Sequence, residues 1–312
     1  MKSILFSAIL AITFTQASAA SFDCAKANTP SSKQICSDPE LSKLDDELAV
    51  VFSEAHSKLS AESQKLLIEG QRSWLRFHSR LCFFDDEAKP KDKKASVECQ
   101  INEYRSRIET LKSAGSLVLG VKKIPYFQGW VDINAKENYS HAEKGEFILF
   151  EGTSPTARAL NQILQPMVKR LNAGAPWVYH GVDVTYAGQD IARISTFLEG
   201  ASYPPPVIYF SKTLNRQLKV SDVFKSSEWT SKAERIAVRD LKIRKLNDSI
   251  EHFKAGFLPK PTDDFTYDIE ADRFIVFYMP DNGTYEDVKL AWKDFSEFLT
   301  PLGQRLSRIS QK

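Results

Sequence analysis

Four cysteines, Cys24, Cys36, Cys82 and Cys99, all fall in the first third of this 312-residue chain, and no other feature restricts its folding as much. They follow an opening with the form of a secretory leader. Met1-Lys2-Ser3 precedes an apolar run from Ile4 to Phe14, and Gln16-Ala17-Ser18-Ala19-Ala20 supplies small residues where a signal peptidase cuts. Residues 1–20 are read as that signal peptide, removed after Ala19 or Ala20, and the expected location is periplasmic or secreted. In an oxidising compartment an even cysteine count reads as disulfides, and four cysteines allow three connectivities. Pairing Cys24 with Cys36 and Cys82 with Cys99 is favoured, because each pair closes a short loop beside a predicted helix end. Cys24 follows Ser21-Phe22-Asp23, unlike the small apolar stretch of a lipoprotein signal, so no lipid anchor is expected. The spacings also lack the C-x-x-C knuckle of a zinc site, and no metal is expected.

Helical periodicity surrounds these cysteines. Thr29-Pro30 has the form of an N-cap with proline in the first turn, and Leu41, Leu44, Leu48, Val51, Phe52, Ala55 and Leu59 give one apolar face to Pro39–Leu59. In the next helix Leu67, Gln71, Trp74, Leu75, His78, Leu81 and Cys82 are expected to look inward, with Arg72, Arg76, Ser79 and Arg80 outward. Asp85 to Lys94 is a charged, proline-containing loop, and a further helix from Ser96 carries Cys99, Tyr104, Ile108 and Leu111. Residues 21–112 thus form a disulfide-stapled helical module, followed by a linker at 113–119.

Beyond the linker the texture changes. Glu146–Phe150, Val182–Tyr186, Ile191–Leu198, Val207–Phe210 and Phe274–Met279 are short runs rich in Val, Ile, Phe and Tyr, bounded by turn residues. Two helices, Pro155–Leu171 and about Ser231–Ile250, interrupt them. The fold class is therefore α+β: the N-terminal helical module, then residues 120–312 as an α+β domain with a mainly antiparallel sheet.

Several function classes are disfavoured. Forty-two Lys and Arg against forty Asp and Glu give a formal charge of +2, and losing Lys2 with the leader leaves +1, so nothing favours nucleic acid. No apolar run past residue 20 approaches the roughly 18 residues of a membrane span. No nucleophile elbow, glycine-rich phosphate loop or H-E-x-x-H is present, so neither catalysis nor a cofactor is expected. Asp263, Asp264, Asp268 and Glu270 are the acids a glycosidase pair could draw on, but they lie in a polar run. For binding, Ser202, Tyr203, Pro204 and Pro205 form a proline-stiffened segment with one aromatic anchor between two predicted strands.

The first module resembles the bacterial LprI-type lysozyme inhibitor family. The likeness is carried by Ser21-Phe22-Asp23-Cys24, Ile35-Cys36-Ser37-Asp38-Pro39-Glu40-Leu41, Leu44-Asp45, Gln71-Arg72-Ser73-Trp74-Leu75, Cys82, Cys99 and Tyr104-Arg105-Ser106-Arg107-Ile108. Ser32 and His78 depart from its pattern, which usually has Glu and Arg there. The second domain is similar to the C-terminal domain of RsiV-type lysozyme sensors at Gly200-Ala201, Pro204, Leu218 to Phe224, Phe274 to Tyr278 and Tyr285 to Val288. The two resemblances imply a non-enzymatic exported binding protein whose partner is a lysozyme or another muramidase. An envelope or peptidoglycan-binding module without an enzyme target is the alternative.

Overall fold

The computed structural model describes residues 20–85, 89–134, 139–172, 179–186, 190–198, 207–246, 250, 258, 260, 263–270, 272–278 and 286–309. After a 3-10 turn at Cys24–Lys26 come four helices: α1 (Pro30–Ser37), α2 (Pro39–Ser57), α3 (Ala61–Leu81) and α4 (Lys93–Lys112). Each begins where a short polar side chain can take up free amides. Thr29 and Ser32 form a reciprocal capping box, Asp38 Oδ1 accepts from Glu40 and Leu41 at 3.0 Å each, and Asp92 Oδ1 accepts from Ala95 at 2.9 Å. Caps of this kind contribute about 1 kcal/mol apiece. Both expected disulfides are present, Cys24–Cys36 and Cys82–Cys99, each with an S–S distance of 2.05 Å.

The chain then builds β1 (Leu117–Val118), β2 (Val121–Asn134), β3 (Tyr139–Phe150), α5 (Pro155–Asn172), β4 (Tyr179–Tyr186), β5 (Ile191–Leu198), β6 (Ile208–Ser211) and β7 (Arg216–Gln217). Seven strands lie in chain order in one sheet, antiparallel throughout except where β3 meets β4 in parallel at Glu146 and Gly181. The segment 113–119 connects helices to sheet tightly. Gly115, at φ +73°, turns the chain out of α4, its amide donates to Lys123 O, and Val118 and Leu119 are buried.

Past Lys122, β2 has a strand neighbour on one side only among the described residues, because β1 pairs with it just at Val121 and Lys122. Lys123 exchanges bonds with Gly115 and Ser116 on the side away from β3, and by strand alternation Pro125, Phe127 and Gly129 face that same side. Pro125 forfeits no ladder bond there. Helix α3 covers the rest of this edge: Ser73 Oγ accepts from the Gly129 amide at 3.3 Å, and a Cβ on Gly70 would stand 2.9 Å from Phe127 N. Only glycine lets helix and strand backbones approach so closely. Phe77 fills the contact beside it, its ring 5.4 Å from that of Phe127.

This contact makes the helices and the sheet share one core. It runs from Ile35, Leu41 and Leu67 through Trp74, Phe77 and Tyr104 to Phe127, Phe147, Leu160 of α5 and Phe210. A second core lies on the other face of β5 and β6, reached by Ile191 and Tyr209. There α6 (Val220–Val223), α7 (Glu228–Ile243), an antiparallel sheet of β8 (Asp268–Ile269), β9 (Arg273–Tyr278) and β10 (Glu286–Ala291), a 3-10 stretch Trp292–Phe298, and α8 (Pro301–Ile309) close around stacked Phe224 and Trp229. The second expected helix thus starts three residues earlier than its periodicity suggested, at Glu228.

Candidate functional site

Inside the helical module the side chains form an aromatic and polar cluster. Trp74 is fully buried and stacks on His78 with centroids 4.2 Å apart, and Tyr104 meets both rings edge-on at 5.1 and 5.4 Å. The Tyr104 hydroxyl donates to Asp45 Oδ1 at 2.9 Å, while Asp45 Oδ2 accepts from the amide and hydroxyl of Ser21. Between α3, α4 and β2 sits the guanidinium of Arg107, 0% exposed, donating through Nε to Gln71 Oε1 at 2.9 Å and lying 6.0 Å from the Phe127 ring. Burial lowers Arg107 to about 10, which leaves it protonated at neutral pH. These groups hold the module together from within and are closed to a partner.

His78 makes the module acid-sensitive. Burial lowers its imidazole from 6.5 to about 4, against smaller opposing contributions from the Trp74 carbonyl and Asp45. The unfolded chain therefore takes up this proton near pH 6.5 and the folded chain only near pH 4. Stability from this group is complete above pH 6.5 and is lost as pH falls toward 4, by about 3 kcal/mol. Urea melts at pH 7 and pH 4 should show that loss, and His78→Gln should remove most of it. An unchanged acid dependence in the variant would place the effect elsewhere.

Among the described residues, two of the grooves on the surface of the module carry charges that differ in kind. A cavity of about 410 Å³ lies between α4 and the β3–β4 junction, lined by Thr110, Lys144, Glu146 and Asp183 among others. Its polar groups are engaged with one another. Glu146 accepts from Thr110 at 2.5 Å, Lys144 pairs with Glu103 at 2.7 Å, and Asp183 lies 3.8 Å from Lys123. The second groove runs along α3 and meets β2 only in its part nearer Arg80. One part, about 500 Å³, is walled by Lys65, Ile68, Glu69, Arg72 and Arg76, and the next, about 240 Å³, by Arg76, Arg80, Phe77, Gly129, Trp130 and Val131.

Arg72, Arg76 and Arg80 stand exposed at four-residue steps on this groove, and no ion pair engages any of them among the described residues. Glu69, the acid nearest them in the wall, accepts from the Tyr126 hydroxyl at 3.0 Å. Like charges at i and i+4 cost a helix a few tenths of a kcal/mol. Elsewhere on the module Arg105 pairs with Glu40 at 2.6 Å and Lys112 with Glu109 at 2.6 Å, while Lys33, Lys43 and Lys65 have no ion pair among the described residues; what sets the ridge apart is three guanidiniums in line on one helix face. The arginine ridge is therefore the candidate site, and its chemistry suits a carboxylate-bearing partner.

The residues expected from sequence fare differently. The four cysteines pair as favoured. Ser202, Tyr203, Pro204 and Pro205 lie outside the described residues. The acids considered as a glycosidase pair are held in structural contacts: Asp268 with Arg193 at 2.9 Å, Asp264 with Lys219 at 3.9 Å, Glu270 with Arg273 at 3.5 Å, and Asp263 by the Lys260 amide. Leu75, expected inside, is 44% exposed and borders the ridge, whereas Phe77 is buried. The outward-facing arginines were visible as a helical stripe, but the part of the groove at Arg76 and Arg80 was not, because its other wall is β2. Among the described residues no group of His, Cys, Asp and Glu could hold a metal, and no helix is long and apolar enough to cross a membrane.

Residues 24–111 match the family model described as "Lysozyme inhibitor LprI", a span that takes in α1 to α3, all of α4 but its last residue, and both disulfides. No curated protein matches the chain. Similar solved structures include a DUF3298 family protein from Pseudomonas aeruginosa PAO1, 12% identical over 58% of this chain and 95% of that one, with a TM-score of 0.38. Another is a member of the same family from Bacteroides fragilis NCTC 9343, 8% identical over 62% of this chain and 98% of the other, with a TM-score of 0.37.

Proposed function

We propose that this is an exported, non-enzymatic binding protein of the periplasm or medium that inhibits lysozyme or a related peptidoglycan-cleaving glycosidase. The observation that carries the reading is the match of the whole disulfide-stapled helical unit to a lysozyme inhibitor family model. The arginine ridge on α3 supplies the docking surface. Retaining glycosidases place two carboxyl groups about 5 to 5.5 Å apart in an open cleft. Arginines four residues apart on a helix rise about 6 Å from one to the next, so neighbouring guanidiniums of Arg72, Arg76 and Arg80 can each take one carboxylate. Residues 120–312, read as RsiV-like on sequence resemblance, supply the scaffold that backs α3 through β2.

Titration calorimetry of the mature protein against several lysozyme classes, with cell-wall lysis assays alongside, tests the proposal. Binding at micromolar concentration or tighter is expected, with loss of lysis. The Arg72→Glu, Arg76→Glu, Arg80→Glu triple variant should weaken binding on the order of 100-fold, and a chitin oligosaccharide filling the cleft should compete. Absence of both binding and inhibition would refute the function. Full binding by the triple variant would refute only the docking surface. Retention on purified sacculi without lysozyme affinity would favour a peptidoglycan-binding role instead.

A further inference from the structure

The carboxylate of Asp45 is 8% exposed and is held by three donors, none of them a cation. Tyr104 Oη lies 2.9 Å from one oxygen, and the Ser21 nitrogen and hydroxyl lie 2.8 and 2.6 Å from the other. All three donors are neutral, so a cation in the place of one of them would turn an ordinary hydrogen bond into a charge-assisted one. The nitrogen nearest this carboxylate belongs to a residue at which the leader pattern allows the chain to be cut. Cutting after Ala19 makes Ala20 the new terminus, and cutting after Ala20 makes it Ser21.

We propose that the chain is processed between Ala20 and Ser21, and that the ammonium so created pairs with Asp45, locking the mature end into the helical core. Hydrolysis of the Ala20–Ser21 amide by a small-residue-selective signal peptidase consumes one water. Its oxygen stays on the Ala20 carbonyl carbon as a carboxylate. The Ser21 nitrogen is released as an amine, which is protonated at neutral pH. A cut one residue earlier would leave the Ser21 nitrogen a neutral amide and carry the charge one Cα step, about 3.8 Å, along the chain.

The local structure prepares this contact. Ser21 itself is exposed, while Ala20 and Phe22 on either side of it pack partly buried against the core. Three residues on, Cys24 is tied to α1 by its disulfide, so the new terminus has little freedom left to lose when it pairs. Tyr104 shares Asp45 with Ser21 and packs on Trp74 and His78, so the charge made by processing is felt at the centre of the module.

Two measurements decide the proposal. The intact mass of the exported protein should correspond to a chain beginning at Ser21. Purified protein beginning at Ser21 should melt roughly 4 °C above the same protein beginning at Ala20, and Asp45→Asn should remove that gap. A native terminus other than Ser21, or equal melting temperatures for the two forms, would overturn it. Should the Asp45 variant fail to fold, the mass and the comparison of the two termini still distinguish the two cuts.

Discussion

Reduction of both disulfides is expected to remove about 6 kcal/mol of stability, roughly 3 kcal/mol for each loop closed in the chain-entropy model. The two bridges close loops of 12 and 17 residues that do not overlap along the chain, so in the chain-entropy model their contributions add. A loss of that size is comparable with the whole stability of many domains. A helical module followed by a free linker would melt alone and leave the cysteine-free remainder intact. The shared core predicts otherwise: when α3 leaves, β2 loses the cover of Gly70, Ser73 and Phe77. Hydrogen exchange read by mass spectrometry with and without reductant should show amides of β2 near Phe127 and Gly129 losing protection together with the helices. Protected β2 amides beside exchanging helices would show that the two parts unfold separately.

Trp74→Ala should be the most damaging single substitution in the module, at about 4 kcal/mol. The indole is 0% exposed and touches His78 and Tyr104 with its face and edge, so its removal opens a cavity and leaves two polar aromatics poorly packed. Trp74→Phe keeps the stacking on His78 and should cost clearly less. Urea denaturation of both variants measures the difference. A cost for the alanine variant near 1 kcal/mol would mean that the site collapses around the gap and that the cluster is not a rigid support.

What could be read from the residues follows from how many neighbours each element has. The cysteine pairing was legible because each pair flanks helix ends close in sequence. Helix α3 was legible on one side only. Its period puts Trp74 and His78 inside, yet it also buries Phe77 against a strand, so the single-face reading placed Leu75 wrongly. Strand β2 was missed altogether, since Lys122, Lys123, Pro125 and Gly129 break the usual strand signal; the two lysines are met by Glu151 and Asp183, and Pro125 and Gly129 are tolerated because α3 rather than a second long strand lies beside them. Without β2 the groove beside Arg76 and Arg80 could not be anticipated. In the sequence Asp45 is one of three consecutive acids, Asp45-Asp46-Glu47, and only the fold makes it a buried acceptor.

The helix laid along β2 has one more consequence. From Lys123 to Gly129 the main chain turns bonding groups away from β3, and α3 and the Gly115 turn are what they meet. Withdraw the helices by proteolysis near residue 115 or by truncation, and a long strand edge is left for another molecule's strand to extend, with Pro125 as its main built-in interruption. The helical unit therefore shields the sheet behind it by occupying that edge. Fragments beginning near residue 120 are the form of this protein in which edge-to-edge polymerisation can start.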